Sequence, residues 1–201
     1  MLKAIELTCE RGGRALFRGL SFELAAGELL RIGGENGTGK TSLLRIVCGL
    51  LEPAAGEVRW RGEPIASLRE DYSRELVYLG HAPAVKDELT PAENLEISCR
   101  LAGHARPGAR IREALEGFGL AGREVPVKRL SQGQRRRAAL ARLLLSESIP
   151  LWLLDEPFSA LDAAAARFTE DLIARHVARG GTAVYTTHQE VGITASRVIE
   201  L

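Results

Sequence analysis

Cysteine is scarce in this 201-residue chain: three residues, Cys9, Cys48 and Cys99, stand far apart and in no Cys-x-x-Cys spacing. That pattern excludes a disulfide scaffold, a zinc ribbon and a Cys-x-x-Cys-His haem attachment site, and makes reduced thiols in the cytoplasm the expected state. Methionine occurs once, at the first position, and aromatic residues make up 5% of the chain. Long apolar runs are missing as well. The best, Ala138–Leu145, is interrupted by Arg142 and falls far short of the ~18 residues that cross a bilayer. Nor does one sign of charge dominate: 27 Lys and Arg oppose 26 Asp and Glu, for a net charge of +1, where a general nucleic-acid binder would carry a basic surplus. The opening Met1-Leu2-Lys3-Ala4-Ile5-Glu6-Leu7 lacks the charged-then-apolar layout of a signal peptide. No internal repeat or low-complexity segment is present.

What is there is globular. At 45% hydrophobic and 26% charged, a chain of this length buries roughly two thirds to three quarters of its unfolded surface without a disulfide or metal staple. Short apolar runs alternate with helical patterns, the mark of an α/β protein with a largely parallel sheet. Strands are expected at 2–8, 28–33, 57–60, 76–79, 151–155, 182–186 and 197–201. A helix is expected over 41–51 and another from Ser131 through Leu145, with a further helix starting at Ala163. Leu151-Trp152-Leu153-Leu154-Asp155 reads as a buried central strand, apolar at successive positions. Between about Thr90 and Arg129 the pattern turns to consecutive helices, opened by a capping box in which Thr90 caps, Pro91 takes the first turn and Glu93 follows. Glycine and proline breaks at 103–108 and 117–127 separate them. The expectation is an α/β core, 1–89 and 130–201, with a helical subdomain at about 90–129 inserted in it.

Gly34-Glu35-Asn36-Gly37-Thr38-Gly39-Lys40-Thr41 fits G-x-x-x-x-G-K-[ST] between an expected strand and an expected helix. Glycines let successive N–H groups turn inward on an anion, and the helix N-terminus adds its dipole. Lys40 is placed to reach the β- and γ-phosphates and the Thr41 hydroxyl to ligate Mg²⁺. This composition yields about 0.004 such matches by chance, so a Gly-rich turn without function is the weaker account.

Asp155 and Glu156 end the buried strand. The first is suited to hold Mg²⁺, the second to orient or deprotonate a water attacking the γ-phosphate. His188 follows another apolar strand at the same expected sheet edge, where a γ-phosphate contact is the stronger reading for a residue type that is usually structural or solvated. In Leu130-Ser131-Gln132-Gly133-Gln134, Ser131 and Gln134 form a second capping box. Taken alone, it reads as a well-capped helix whose Arg135, Arg136 and Arg137 make a solvated basic face.

Together these stretches resemble the nucleotide-binding subunit of ABC transporters, over essentially the whole chain and in the family's order. Residues 34–41 correspond to Walker A, 130–134 to the LSGGQ signature with Gln132 in place of its first glycine, and 151–155 to Walker B. Glu156 corresponds to the catalytic glutamate, 159–162 to the D-loop and His188 to the switch histidine. The resemblance implies a P-loop NTPase (RecA-like) α/β core with a mostly parallel sheet, N-terminal antiparallel strands and the inserted helical subdomain. It also implies ATP and Mg²⁺ as cofactors, Gly34 through Ser42 as the nucleotide cradle, and Glu156, His188 and Lys40 as the catalytic set. A homodimer is implied in which Ser131, Gly133 and Gln134 of one chain close over ATP held by the other. Separate integral membrane subunits then place the ATPase on the cytoplasmic face of the bacterial inner membrane, with no nucleic-acid partner.

Two positions depart from the family pattern. Arg11 stands where an aromatic residue stacks on adenine; a guanidinium plane can also stack on a base. The loop 80–83 reads Gly-His-Ala-Pro where a glutamine is expected, which leaves His81 as the candidate for a water-mediated Mg²⁺ contact. The runs at 9–17, 80–95 and 132–137 are further similar to the ATP-binding subunit of bacterial haem exporters in cytochrome c biogenesis; another ABC exporter or importer is the alternative. A chromosome-organising ATPase would need a long coiled coil between Lys40 and Asp155, a translation-associated protein two cassettes, and an ordinary P-loop kinase or GTPase has no use for 130–134 or His188. Direct haem binding is not expected, because His81, His104, His176 and His188 are scattered.

Overall fold

The computed structural model describes residues 1–103 and 106–201; of the four histidines, His104 lies outside them. Among the described residues, nine strands and eight helices follow one another: β1 (Leu2–Arg11), β2 (Arg14–Leu24), β3 (Leu29–Gly33), α1 (Lys40–Val47), β4 (Ala55–Trp60), β5 (Glu63–Pro64), α2 (Ile65–Leu68), α3 (Glu70–Arg74), β6 (Leu76–Leu79), α4 (Pro91–Leu101), α5 (Gly108–Gly117), α6 (Gln132–Leu140), α7 (Arg142–Leu145), β7 (Leu151–Leu154), α8 (Ala163–Ala178), β8 (Thr182–Thr186) and β9 (Arg197–Glu200), with a 3₁₀ turn at Val127–Arg129.

The strands form two sheets. One is antiparallel in the order β2-β1-β4-β5; the other runs β6-β7-β8-β3-β9 with every pair parallel. Strand β7 explains why parallel central strands are apolar throughout. Leu151 and Leu153 join the core shared with α1, β1 and β4, while Trp152 and Leu154 join the core beneath α4–α8. All four are fully buried, so neither face can carry a polar side chain. Connecting loops leave the carboxyl ends of β6, β7, β8 and β3 along one edge, the place where open α/β sheets bind ligands.

Several boundaries differ from expectation, each for a local reason. Strand β2 has no clean alternation because Arg18 and Gly19 interrupt it and its pairing with β1 shifts register near Leu7 and Cys9, and a bulge resets which side chains point inward. Helix α1 stops at Val47, since Gly49 turns left-handed (φ 77°) and the N–H groups of Leu50 and Leu51 both return to the Arg45 carbonyl. The expected single helix over 131–145 is two: Leu144 donates to Ala141 rather than continuing the i−4 ladder, and α7 sets off from there. Both capping boxes are present, Thr90 with Glu93 and Ser131 with Gln134.

Candidate nucleotide site

Strand β3 delivers residues 34–39 into α1, whose first turn has neither a side-chain cap nor an acidic residue. Its free N–H groups therefore face the loop, and the helix dipole adds positive potential there. Gly39 has to be glycine: its φ is 114°, and a Cβ would sit 3.1 Å from the Leu16 Cβ and 3.2 Å from the Phe17 ring. The buried Lys40 arches back over the loop and donates to the Gly34 and Glu35 carbonyls, each at 2.7 Å. Thr38 donates to the Glu35 carbonyl at 3.0 Å.

Opposite the loop, β7 ends in Asp155, 1% exposed. Its Oδ2 accepts from the Thr41 hydroxyl at 2.9 Å and its Oδ1 from the Thr186 hydroxyl at 2.8 Å. The same Thr186 oxygen accepts from the Glu156 N–H at 2.9 Å. Glu156 holds a left-handed backbone (φ 50°), a conformation costing a non-glycine residue about 1–3 kcal/mol that the surroundings must impose. Its carboxylate lies 3.1 Å from His188 Nδ1, an ionic pair only when the imidazole is protonated. The parallel sheet therefore gathers Lys40, Thr41, Asp155, Glu156 and His188 at one edge.

The other candidates lie apart from that cluster. Among the described residues, no hydrogen bond joins Ser131, Gly133 or Gln134 to the loop 34–41. Ser131 and Gln134 satisfy each other, at 3.0 and 3.2 Å, and the Ser131 side chain is exposed. Gly133 abuts the Ala160 carbonyl, where a Cβ would stand at 2.7 Å. Arg11 is exposed in the β1–β2 hairpin, and the residues touching the loop from that hairpin are Leu16 and Phe17. The His81 side chain is exposed, and its backbone carbonyl accepts from Arg136.

Two further residues hydrogen-bond the cluster and are not singled out by the sequence. Thr186 was seen only as a strand end, though a threonine beside an expected acidic strand terminus was its one signal. Arg136 was counted in a solvated basic face, yet it is 4% exposed. Its guanidinium donates to the carbonyls of Gly80, His81, Asp155 and Glu156 at 2.9, 3.2, 2.7 and 2.7 Å.

A strand–loop–helix phosphate cradle facing an acidic strand end, on a parallel sheet, defines a P-loop nucleotide hydrolase. The ABC transporter family model matches residues 17–159, and the chain belongs to that family as an ABC-type ATPase. Among curated proteins it is 54% identical over 202 residues to the cytochrome c biogenesis ATP-binding export protein CcmA of Dechloromonas aromatica (strain RCB), covering 100% of this chain and 98% of that one. The CcmA of Nitrosospira multiformis (strain ATCC 25196 / NCIMB 11849 / C 71) is 51% identical over 201 residues, covering 100% and 97%. Among solved structures, the dimeric bacterial ABC transporter cassette MJ0796 superposes with a TM-score of 0.86 at 26% identity, over 100% of this chain and 94% of that one. A putative ABC transporter ATP-binding protein from Pyrococcus furiosus gives 0.86 at 23% identity, over 100% and 96%, a likeness of fold.

Proposed function

We propose that this chain is the ATP-hydrolysing subunit of the haem-exporting complex of cytochrome c biogenesis. Full-length identity of 54% to a protein named for that process carries the reading; the site chemistry agrees with it. Lys40 now fills the space over the loop by bonding its carbonyls, and on nucleotide binding would turn that charge to the β- and γ-phosphates. Thr41 and Asp155, already 2.9 Å apart, fit Mg²⁺, which takes few protein ligands beside phosphate oxygens and water. When bound, that ion would neutralise charge developing on the phosphates. Glu156 would accept a proton from the attacking water, and His188, beside it, would hold both the carboxylate and the γ-phosphate edge.

The exposed Ser131 turn makes no hydrogen bond to the loop 34–41 among the described residues, which supports a site completed by a second copy, as in the dimeric cassette. No helix among the described residues is long and apolar enough to cross a membrane, so separate membrane subunits would have to dock on a surface. A cleft of about 690 Å³ between α3, β6 and α4, lined by Arg74, Val77, Lys86, Asn94, Ile97 and Leu101, supplies one. It lies at the junction of the α/β core (1–89 and 130–201) with the helical subdomain (about 90–129), and it would face the inner membrane from the cytoplasmic side. Haem would stay with the partners. Deleting the gene should eliminate covalent c-type cytochromes and leave b-type haem proteins intact; normal c-type levels would leave a different ABC exporter or importer as the reading.

A further inference from the structure

Arg136 is a buried cation that pairs with no carboxylate among the described residues. Two nitrogens bind four backbone carbonyls, and Nε is buried without a partner among the described residues. A guanidinium removed from water normally takes a bidentate carboxylate. The carboxylates of the two residues whose backbone it binds are engaged elsewhere, Asp155 with Thr41 and Thr186 and Glu156 with His188. The charge thus sits behind the acidic pair, bonded to its backbone carbonyls and not to its carboxylate oxygens.

The four carbonyls belong to two segments. Asp155 O and Glu156 O are the peptide groups on either side of Glu156, whose N–H is already fixed by Thr186. With Arg136 on the carbonyls, both peptides flanking this strained residue are pinned. Gly80 O and His81 O begin the loop after β6 that leads toward the cleft at Lys86 and Asn94. A planar, rigid fork cannot let one pair move without the other.

We propose that Arg136 is a positioning residue for hydrolysis: it holds Glu156 in its left-handed conformation and ties that conformation to the loop at 80–81, so that displacement of the loop reaches the carboxylate. The inference rests on Glu156 acting on the attacking water, and Glu156→Gln is therefore measured alongside. Arg136→Gln keeps two donors, enough for one carbonyl pair only; Arg136→Lys keeps the charge without the fork. In purified protein with Mg·ATP, Arg136→Gln should lose tenfold to hundredfold in kcat while KM and the Kd for a fluorescent ATP analogue change less than threefold, and Arg136→Lys should fall in between. Unchanged kcat in a folded Arg136→Gln protein overturns the proposal, as does a parallel loss of kcat and nucleotide affinity, which marks a merely structural role. If Arg136→Gln does not fold, Arg136→Lys decides by the same criteria. Full turnover by Glu156→Gln would instead remove the reading of Glu156 on which this one stands.

Discussion

Thr186 donates its hydroxyl hydrogen to Asp155 Oδ1 at 2.8 Å across 31 residues of sequence. Because the same oxygen receives the Glu156 N–H, one side chain on β8 fixes the Asp155 carboxylate and the Glu156 backbone just past the end of β7. Replacing it by valine keeps the shape and removes both bonds, leaving a buried carboxylate oxygen and a buried N–H short of partners at about 1–3 kcal/mol each. Thr186→Val should lower kcat by about tenfold or more while ATP still binds. A steady-state assay giving kcat within twofold of wild type would remove Thr186 from the site.

Lys40 and Glu156 should fail in different ways. Lys40→Ala removes the cation that the loop carbonyls now hold and should weaken ATP binding at least tenfold, about 1.4 kcal/mol or more. Glu156→Gln leaves the cradle intact, so it should bind ATP, hydrolyse little and accumulate as a dimer. Light scattering with and without ATP reads the outcome; an unchanged mass well above ATP saturation counts against a site shared by two chains.

His176 gives the fold a measurable pH dependence. Its ring stacks on Trp152 at 3.8 Å between centroids, and burial drives its pKa from 6.5 down to about 4. The unfolded chain therefore takes up a proton that the folded chain refuses, and stability falls as pH drops from 6.5 towards 4. At about 1.4 kcal/mol per unit, the loss reaches at most roughly 3 kcal/mol. His176→Phe keeps the stacking and cannot titrate. Denaturant melts of the two proteins at pH 7 and pH 4 should converge or cross in the variant's favour, and parallel pH curves would show that His176 is not the sensor.

The cleft beside α4 presents Ile97 and Leu101, 42% and 85% exposed. Charged replacements there, such as Ile97→Glu, cost the folded chain little because solvent already reaches the side chain. They should uncouple ATP hydrolysis from complex function in cells while the purified subunit keeps its ATP affinity within threefold. Loss of nucleotide binding would mean misfolding rather than a broken docking surface.

The site's main parts were legible because they are local. Residues 34–41, the run 151–156 and the capping boxes at Thr90 and Ser131 declare themselves within a few positions of chain. Thr186 and Arg136 were not, since their partners lie up to 56 residues away and neither residue type is unusual where it stands. Arg136 was misjudged by its neighbours: Arg135 and Arg137 are only partly buried and bond carbonyls near the 3₁₀ turn and α5, whereas one step of helix rotation sends Arg136 under the sheet edge. Among the strands, β2 was hidden by its bulge and β5, two residues long, by having no pattern to read. Elements whose two faces are both buried, β7 above all, were the easiest, because burial on both sides leaves composition no freedom.

Gly133 has a neighbour that its partner in the signature lacks. Gln132 is exposed at the first turn of α6, whereas a side chain on Gly133 would collide with the backbone at Ala160, three residues before α8 begins under its Asp162 cap. The two segments are thus in register like adjacent teeth of one gear. Movement of the Ser131 turn toward Ala160 is therefore met by backbone, in the segment that leads straight into the start of α8.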